Sequence, residues 1–231
     1  MTLRIGFDMD GVLADFASAF CQIERDLFGS GDDIDARAPE DEEERESGPA
    51  STTPVGETAG HAERRRTAVW QRIRVTEDFW TTLRPTEPGA VRRIHADALR
   101  YRWEVFFITQ RPASAGETVQ RQTQRWLRQQ GYDLPSVLVI GGTRGAAVNA
   151  LRLTYHVDDS ARNCVDVKAD SEAKPILVVR AGDELTVRQA RKLGIAVARS
   201  IGECLDILEQ ASAARHSPGV LGRLAAAVGW I

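Results

Sequence analysis

Lysine is nearly missing from this chain of 231 residues: Lys168, Lys174 and Lys192 are the whole set, and every other basic side chain with a fixed charge is an arginine. Any such cationic role ahead of residue 168 falls to a guanidinium, with its fork of donors and its larger bulk. Cysteine is scarce as well. Cys21, Cys164 and Cys204 are odd in number and lack the spacing of a metal site, which fits reduced, buried thiols. No apolar run is long enough to cross a bilayer, and a net charge of −3 gives no general attraction to a nucleic acid polymer. A strand pattern starts at Leu3, which leaves no room for a removable leader, so a cytoplasmic location is expected. A hydrophobic content of 42% with 27% charged residues is that of a globular protein, and the length suits one α/β domain with a modest insertion.

The most informative stretch runs from Leu3 to Asp15, where a short apolar strand leads straight into Asp8-Met9-Asp10-Gly11. Residues two apart on a strand point to the same side, so Asp8 and Asp10 project together from its carboxyl end. Two carboxylates that close repel one another, which makes them costly as decoration and suitable as ligands for a hard cation such as Mg2+. An ordinary Asp-Gly turn is the local alternative.

Leu13, Phe16, Phe20, Ile23 and Leu27 then recur at steps of three and four, predicting a helix from about Val12 to Phe28. From Gly29 to Arg66 the periodicity disappears, and the acidic, breaker-rich run from Pro39 to Pro49 predicts a disordered loop. Thr76 ahead of Glu77 and Asp78 predicts a helix start. Phe79 and Trp80 follow, either as core aromatics or as a wall on which a substrate ring stacks. A helix is expected from Pro88 to Arg102, and the continuous apolar run Trp103–Ile108 is a strand of the kind buried in a parallel sheet, ended by Thr109. Arg111 lies just beyond as a phosphate contact or a surface residue.

A polar helix from Ser114 to Gln130, closed by Gly131, precedes a strand at Val137–Ile140. The turn Gly141–Gly145, which carries Arg144, opens a helix and has the geometry of a phosphate cradle or of a plain glycine turn. The next strand, Leu153–Val157, delivers Asp158-Asp159-Ser160, an acidic pair or a helix cap; His156 within it reads as a satisfied sheet residue. Strands at Pro175–Val179 and Ile195–Ala198 and helices at Leu185–Leu193 and Ile201–Gln210 complete the domain. An apolar tail helix, Val220–Ile231, can dock on the domain or on a second subunit to make a homodimer. This alternation predicts an α/β fold with a doubly wound parallel sheet, and it sets Asp8, Asp10, Thr109, Arg144 and Asp158 at or just after strand carboxyl ends, where such sheets bind ligands.

The strand followed by DxDG, the strand-terminal Thr109 and the late acidic pair together resemble the haloacid dehalogenase-like (HAD) superfamily of hydrolases. Phe79-Trp80, then Leu83-Arg84-Pro85 and Pro88-Gly89-Ala90-Val91, look like the cap return of its 5'-nucleotidase (deoxyribonucleotidase-like) branch. The resemblance implies a Rossmann-like core at 1–14 and 86–213, a small helical cap at 15–85 with the acidic loop at 29–66 inside it, and a tail helix at 214–231. It also implies Mg2+-dependent hydrolysis of a phosphate monoester through an aspartyl-phosphate. Asp8 would be the nucleophile and Asp10 the general acid and base, with Thr109 and Arg144 on the phosphoryl oxygens. Mg2+ would be held by Asp8, the backbone carbonyl of Asp10 and Asp158, with Asp159 orienting it or a bound water. Phe79 and Trp80 would face a nucleobase, and Arg111 would touch the phosphate. The family usually places lysine where this chain has Arg144, which is the chief departure from the pattern. The expected partner is a small phosphorylated metabolite such as a nucleoside monophosphate, not nucleic acid or a membrane. A phosphatase of an unrelated metabolite and a non-catalytic binding protein on the same fold stand as alternatives.

Overall fold

The computed structural model describes residues 2–29, 57–179 and 183–216. Its six strands are β1 (Arg4–Asp8), β2 (Glu104–Thr109), β3 (Ser136–Val139), β4 (Tyr155–Asp158), β5 (Lys174–Val178) and β6 (Ala196–Ala198). They form one sheet in the order β3-β2-β1-β4-β5-β6, and every neighbouring pair is parallel. Apolar runs without alternation need cover on both faces, and helices supply it. Phe7 of β1 pairs with Phe107 on one side and Val157 on the other, and all three are fully buried. The strand order reverses between β1 and β4. That reversal opens a crevice at the carboxyl ends, where Asp8 and Asp158 are the last residues of their strands.

Helices alternate with the strands: α3 (Ala90–Tyr101), α4 (Val119–Gln129), α5 (Arg144–Ala150), α6 (Ala161–Asp170), α7 (Glu184–Lys192) and α8 (Ile201–His216). Five of them begin on a capping side chain, Ser200 accepting the Glu203 N–H at 3.0 Å ahead of α8. Thr118, Thr143, Ser160 and Asp183 each accept a hydrogen bond from the N–H three residues on, satisfying a donor that the helix leaves open.

Between residues 15 and 85 the described residues lie outside the sheet and form α1 (Phe16–Phe28), α2 (Glu57–Val75) and a 3-10 turn at Phe79–Thr81. The two helices pack through Phe16, Phe20 and Trp70, and Phe16 also reaches the rings of Phe79 and Trp80. Glu24 on the inner side of α1 is buried and pairs with Arg65 of α2 at 2.5 Å. The exit and return lie side by side: Ala14 bridges to both Asp10 and Pro85, Asp15 N–H donates to the Arg84 carbonyl at 2.8 Å, and Thr86 N–H donates to that of Leu13 at 2.9 Å.

Several sequence expectations are corrected. The first helix starts at Phe16 rather than Val12, because the Leu13 and Ala14 N–H groups fold back onto the Met9 carbonyl in a tight turn. Residues 57–66, expected in the loop, are the first half of α2, whose low amphipathicity hides it from a periodicity search; the acidic run 39–49 lies outside the described residues. Thr76 closes a helix instead of starting one, its N–H and hydroxyl both donating to the Arg72 carbonyl. The helix after Thr109 begins at Val119, five residues later than expected, since residues 114–117 pack around Gln122 and Asp78. The last helix runs on to His216; the expected tail helix beyond it lies outside the described residues. Among the described residues, no helix is long and apolar enough to cross a membrane.

Candidate active site at the carboxyl edge of the sheet

Asp8 ends β1 and is 6% exposed. Arg144, the first residue of α5, brings its guanidinium back over the sheet edge, where Nη2 donates to Asp8 Oδ1 at 2.6 Å and Nε lies 3.4 Å from Asp158 Oδ2. The Thr143 cap fixes the start of this helix and thereby the origin of the Arg144 side chain. One guanidinium thus faces two carboxylates across the crevice.

Asp158 is fully buried and densely held. It takes a 3.0 Å hydrogen bond from His156 Nε2, one of 2.9 Å from the Ser160 N–H and 3.1 Å contacts from Asn163 Nδ2 to both oxygens. Residues two apart on β4 share a face, which is how His156 reaches Asp158. Asp159 points to solvent, and its carboxylate lies over Gly11: a Cβ on Gly11 would sit 1.8 Å from Asp159 Oδ2. Gly11 also has φ of +81°, so glycine is required twice over, for conformation and for space.

The charges are unequal in effect. Burial pushes the Asp8 carboxyl well above its ordinary range; Arg144 opposes this, while Asp158, Asp159 and Asp10 add to it. Asp158 is equally buried, yet its hydrogen bond with His156 and the charge of Arg144 outweigh that cost and hold it below the usual range. Burial lowers the His156 pKa against the pull of Asp158, which leaves a neutral ring donating through Nε2.

Oxygens of Asp8, Asp158 and Asp159 lie within 4.8 Å of one another. Three hard carboxylate donors fit Mg2+ in chemistry, and a cation among them would relieve the repulsion from Asp158 and Asp159 that adds to burial in raising the Asp8 carboxyl. Asp10 stands outside this group. Its two oxygens accept from Arg111, Nε to Oδ2 at 2.8 Å and Nη2 to Oδ1 at 2.7 Å. Arg111 is 4% exposed, donates through Nη1 to Thr123 Oγ1 at 2.9 Å and lies over the Trp80 ring at 4.8 Å.

Of the residues named from sequence, the structure brings Asp8, Arg144, Asp158 and Asp159 together, with Asp10 and Arg111 as an adjoining pair. Thr109 ends β2, buried, one residue beyond Ile108, which pairs with Asp8. Phe79 and Trp80 correct the expectation of a stacking wall. They are 4% and 1% exposed, and their rings are engaged with Phe16, with each other and, for Trp80, with Arg111. Trp80 Nε1 donates to the Pro112 carbonyl at 3.0 Å, and no open ring face is left for a base. Asn163 and Thr123 were not anticipated, being polar residues of helices whose partners arrive through the fold; His156 was read as a sheet residue and turns out to brace Asp158.

No protein-family model matches the sequence, and no curated protein matches it. Among solved structures it is similar to a haloacid dehalogenase-like family hydrolase from Streptococcus pneumoniae, with a TM-score of 0.53, 8% identity and coverage of 90% of this chain and 98% of the other. It is also similar to a candidate beta-phosphoglucomutase from Thermotoga maritima, with a TM-score of 0.52, 19% identity and coverage of 90% and 99%. At these identities the likeness is one of fold: the parallel sheet and its flanking helices form the Rossmann-like arrangement of haloacid dehalogenase-like proteins.

Proposed function

We propose that this chain is a Mg2+-dependent hydrolase of small phosphate monoesters. One observation carries the proposal: Asp8, Asp158 and Asp159 converge at the β1/β4 switch point, with the Arg144 guanidinium bonded to Asp8. Such a cluster is expensive unless cations and a transferring anion use it.

Asp8 is the nucleophile. One of its oxygens attacks phosphorus, the bond from phosphorus to the ester oxygen breaks, and the departing oxygen takes a proton from Asp10. Water then attacks the aspartyl-phosphate, gives its proton to Asp10 and releases inorganic phosphate with Asp8 restored. Arg111 takes one lone pair of each Asp10 oxygen, which leaves the others to carry the proton. Thr109 and Arg144 are the groups assigned to the phosphoryl oxygens. Asp8, Asp158 and Asp159 would hold Mg2+, which supplies charge neutralisation on those oxygens. Asn163, His156 and the Ser160 N–H keep Asp158 ionised and oriented for that task.

The leaving group is the less defined half of the substrate. Stacking of a base on Phe79 and Trp80 would favour a nucleoside monophosphate, and the burial of both rings removes that support. A nucleoside monophosphate therefore stays in the proposal as one of several small esters. A second reading, a binding protein without catalysis, is favoured by one contact: Arg144 spans Asp8 and Asp158, so a guanidinium already serves oxygens that metal and phosphate would use.

The test is phosphate release from a panel of nucleoside monophosphates and sugar phosphates, with and without Mg2+, in wild type and Asp8→Asn. Release that needs Mg2+ and vanishes in the variant is expected. No release from any ester by folded, Mg2+-loaded protein would select the binding-protein reading.

A further inference from the structure

One wall of a cavity of about 280 Å3 is the side of α1 that carries Asp15, Ser18, Gln22 and Arg25, and the opposite wall is the return segment with Thr82 and Arg84. Among the described residues neither of its two cations is paired with an acid. Among the described residues the Arg84 side chain makes no ion pair or hydrogen bond, and Arg25 donates only to the neutral Gln22 Oε1, at 3.1 Å. The one lining carboxylate, Asp15, caps α1 by accepting the Ser18 N–H at 3.2 Å. The Arg111, Arg125 and Arg144 guanidiniums, by contrast, are each matched to carboxylates. Two unpaired guanidiniums against the single carboxylate of Asp15 leave the concavity net positive, and their planar forks match carboxylate or phosphate oxygens. The Ser18 hydroxyl adds a further donor on the same wall.

The place matters. Asp15 N–H bonds the Arg84 carbonyl, and the preceding Ala14 bridges both Asp10 and Pro85, so the cavity opens where both connectors of the insertion meet the loop that carries Asp10.

We propose that this cavity binds a small anionic group, a carboxylate or a phosphate, between Arg25 and Arg84. Two sources share that chemistry: a second anionic group on the ester being hydrolysed, or a separate small anion. The first source rests on the phosphatase reading; the second does not.

Malonate and inorganic phosphate, titrated calorimetrically without Mg2+ into the full chain, test the site directly. Arg25 and Arg84 are exposed, so Arg25→Met and Arg84→Met should keep the wild-type melting temperature. At least one anion is expected to bind wild type, about tenfold or more weakly in either variant, and equally well in Asp8→Asn. Binding by neither anion, or binding untouched in the double arginine variant, overturns the proposal. Kinetics with 3-phosphoglycerate and glycerol 3-phosphate, which differ at a carboxylate, then assign the source. A rise in KM confined to 3-phosphoglycerate in Arg84→Met places the anion on the substrate, and equal KM values with retained malonate binding place it on a separate ligand. If neither ester is hydrolysed while malonate still binds, the phosphatase reading fails and the anion site stands.

Discussion

Arg111 and Asp10 form a two-point clamp: the guanidinium meets both carboxylate oxygens while its own side chain is 1% exposed, fixed by Thr123 on one edge and the Trp80 ring on its face. The clamp sets the direction from which Asp10 can reach an ester oxygen or a water. Arg111→Met should therefore lower kcat by about 10²-fold, a typical share of acid–base catalysis, with little change in KM. Arg111→Lys should recover part of the loss. Steady-state kinetics on the best ester of the panel decides it, and a rise in KM at constant kcat would instead make Arg111 a direct substrate contact.

Arg144 is the cation between Asp8 and Asp158. Arg144→Met leaves two buried carboxylates facing each other and should cost about 3–5 kcal/mol of stability without metal. Mg2+ can then take over the compensation, so the rise in melting temperature on adding Mg2+ should be larger in the variant than in wild type. Activity should fall by about 10²–10³-fold, as on removal of one transition-state donor. Thermal melts with and without Mg2+ check the first part, and an unchanged metal response would remove Arg144 from the charge balance.

Gly11→Ala places a methyl where Asp159 Oδ2 now lies and forces an L-residue to φ of +81°. The strain should cost about 1–3 kcal/mol. Displacing Asp159 should weaken Mg2+ binding by about 10- to 100-fold, as loss of an orienting partner does. Calorimetric titration with Mg2+ measures it; wild-type affinity in this variant would mean that Asp159 has no part in holding the metal.

Asp78 organises the return from the insertion. Its Oδ1 accepts the Glu117 N–H at 2.8 Å and its Oδ2 meets Arg125 at 2.7 Å, and these two contacts, the N–H foremost, hold its pKa below the ordinary value. A carboxylate depressed in the folded state contributes stability that is complete above its unfolded pKa, about 4, and is lost as pH falls through the folded value. Urea midpoints should thus drop as pH falls below about 4, and Asp78→Asn should be less stable near neutrality with a shallower acid limb. An acid limb of the same slope in the variant counts against this assignment.

The sheet and the acidic residues at its carboxyl edge are legible because their signals are local. Strand-length apolar runs ending in Asp8, Thr109 and Asp158 can be read residue by residue, and a parallel sheet then brings those ends to one side. What stayed hidden depends on tertiary partners. The left-handed Asp78, at φ of 50°, is set against Gly116, where a Cβ would lie 2.3 Å from its Oδ1, and nothing in residues 76–78 announces a partner 38 positions away. Phe79 and Trp80 read equally well as core or as a binding wall, because sequence gives an aromatic pair without its surroundings. Glu24 sits among apolar residues of α1, and its burial makes sense only once Arg65 arrives from α2. Arg111 reads from sequence as a phosphate contact or a surface residue, and its hold on Asp10 appears only once the fold brings the two together.

The narrow neck formed by Ala14, Asp10 and Pro85 sets how freely this architecture can vary. Seen from the sheet, everything from residue 16 to residue 84 is one loop whose ends are already pinned together, and the stretch that links α1 to α2 lies inside that loop. With its ends pinned, the insertion can change in content while strand order, the acid cluster and the neck stay as they are. Selection on what the protein accepts can act on one side of the neck without disturbing how it reacts on the other.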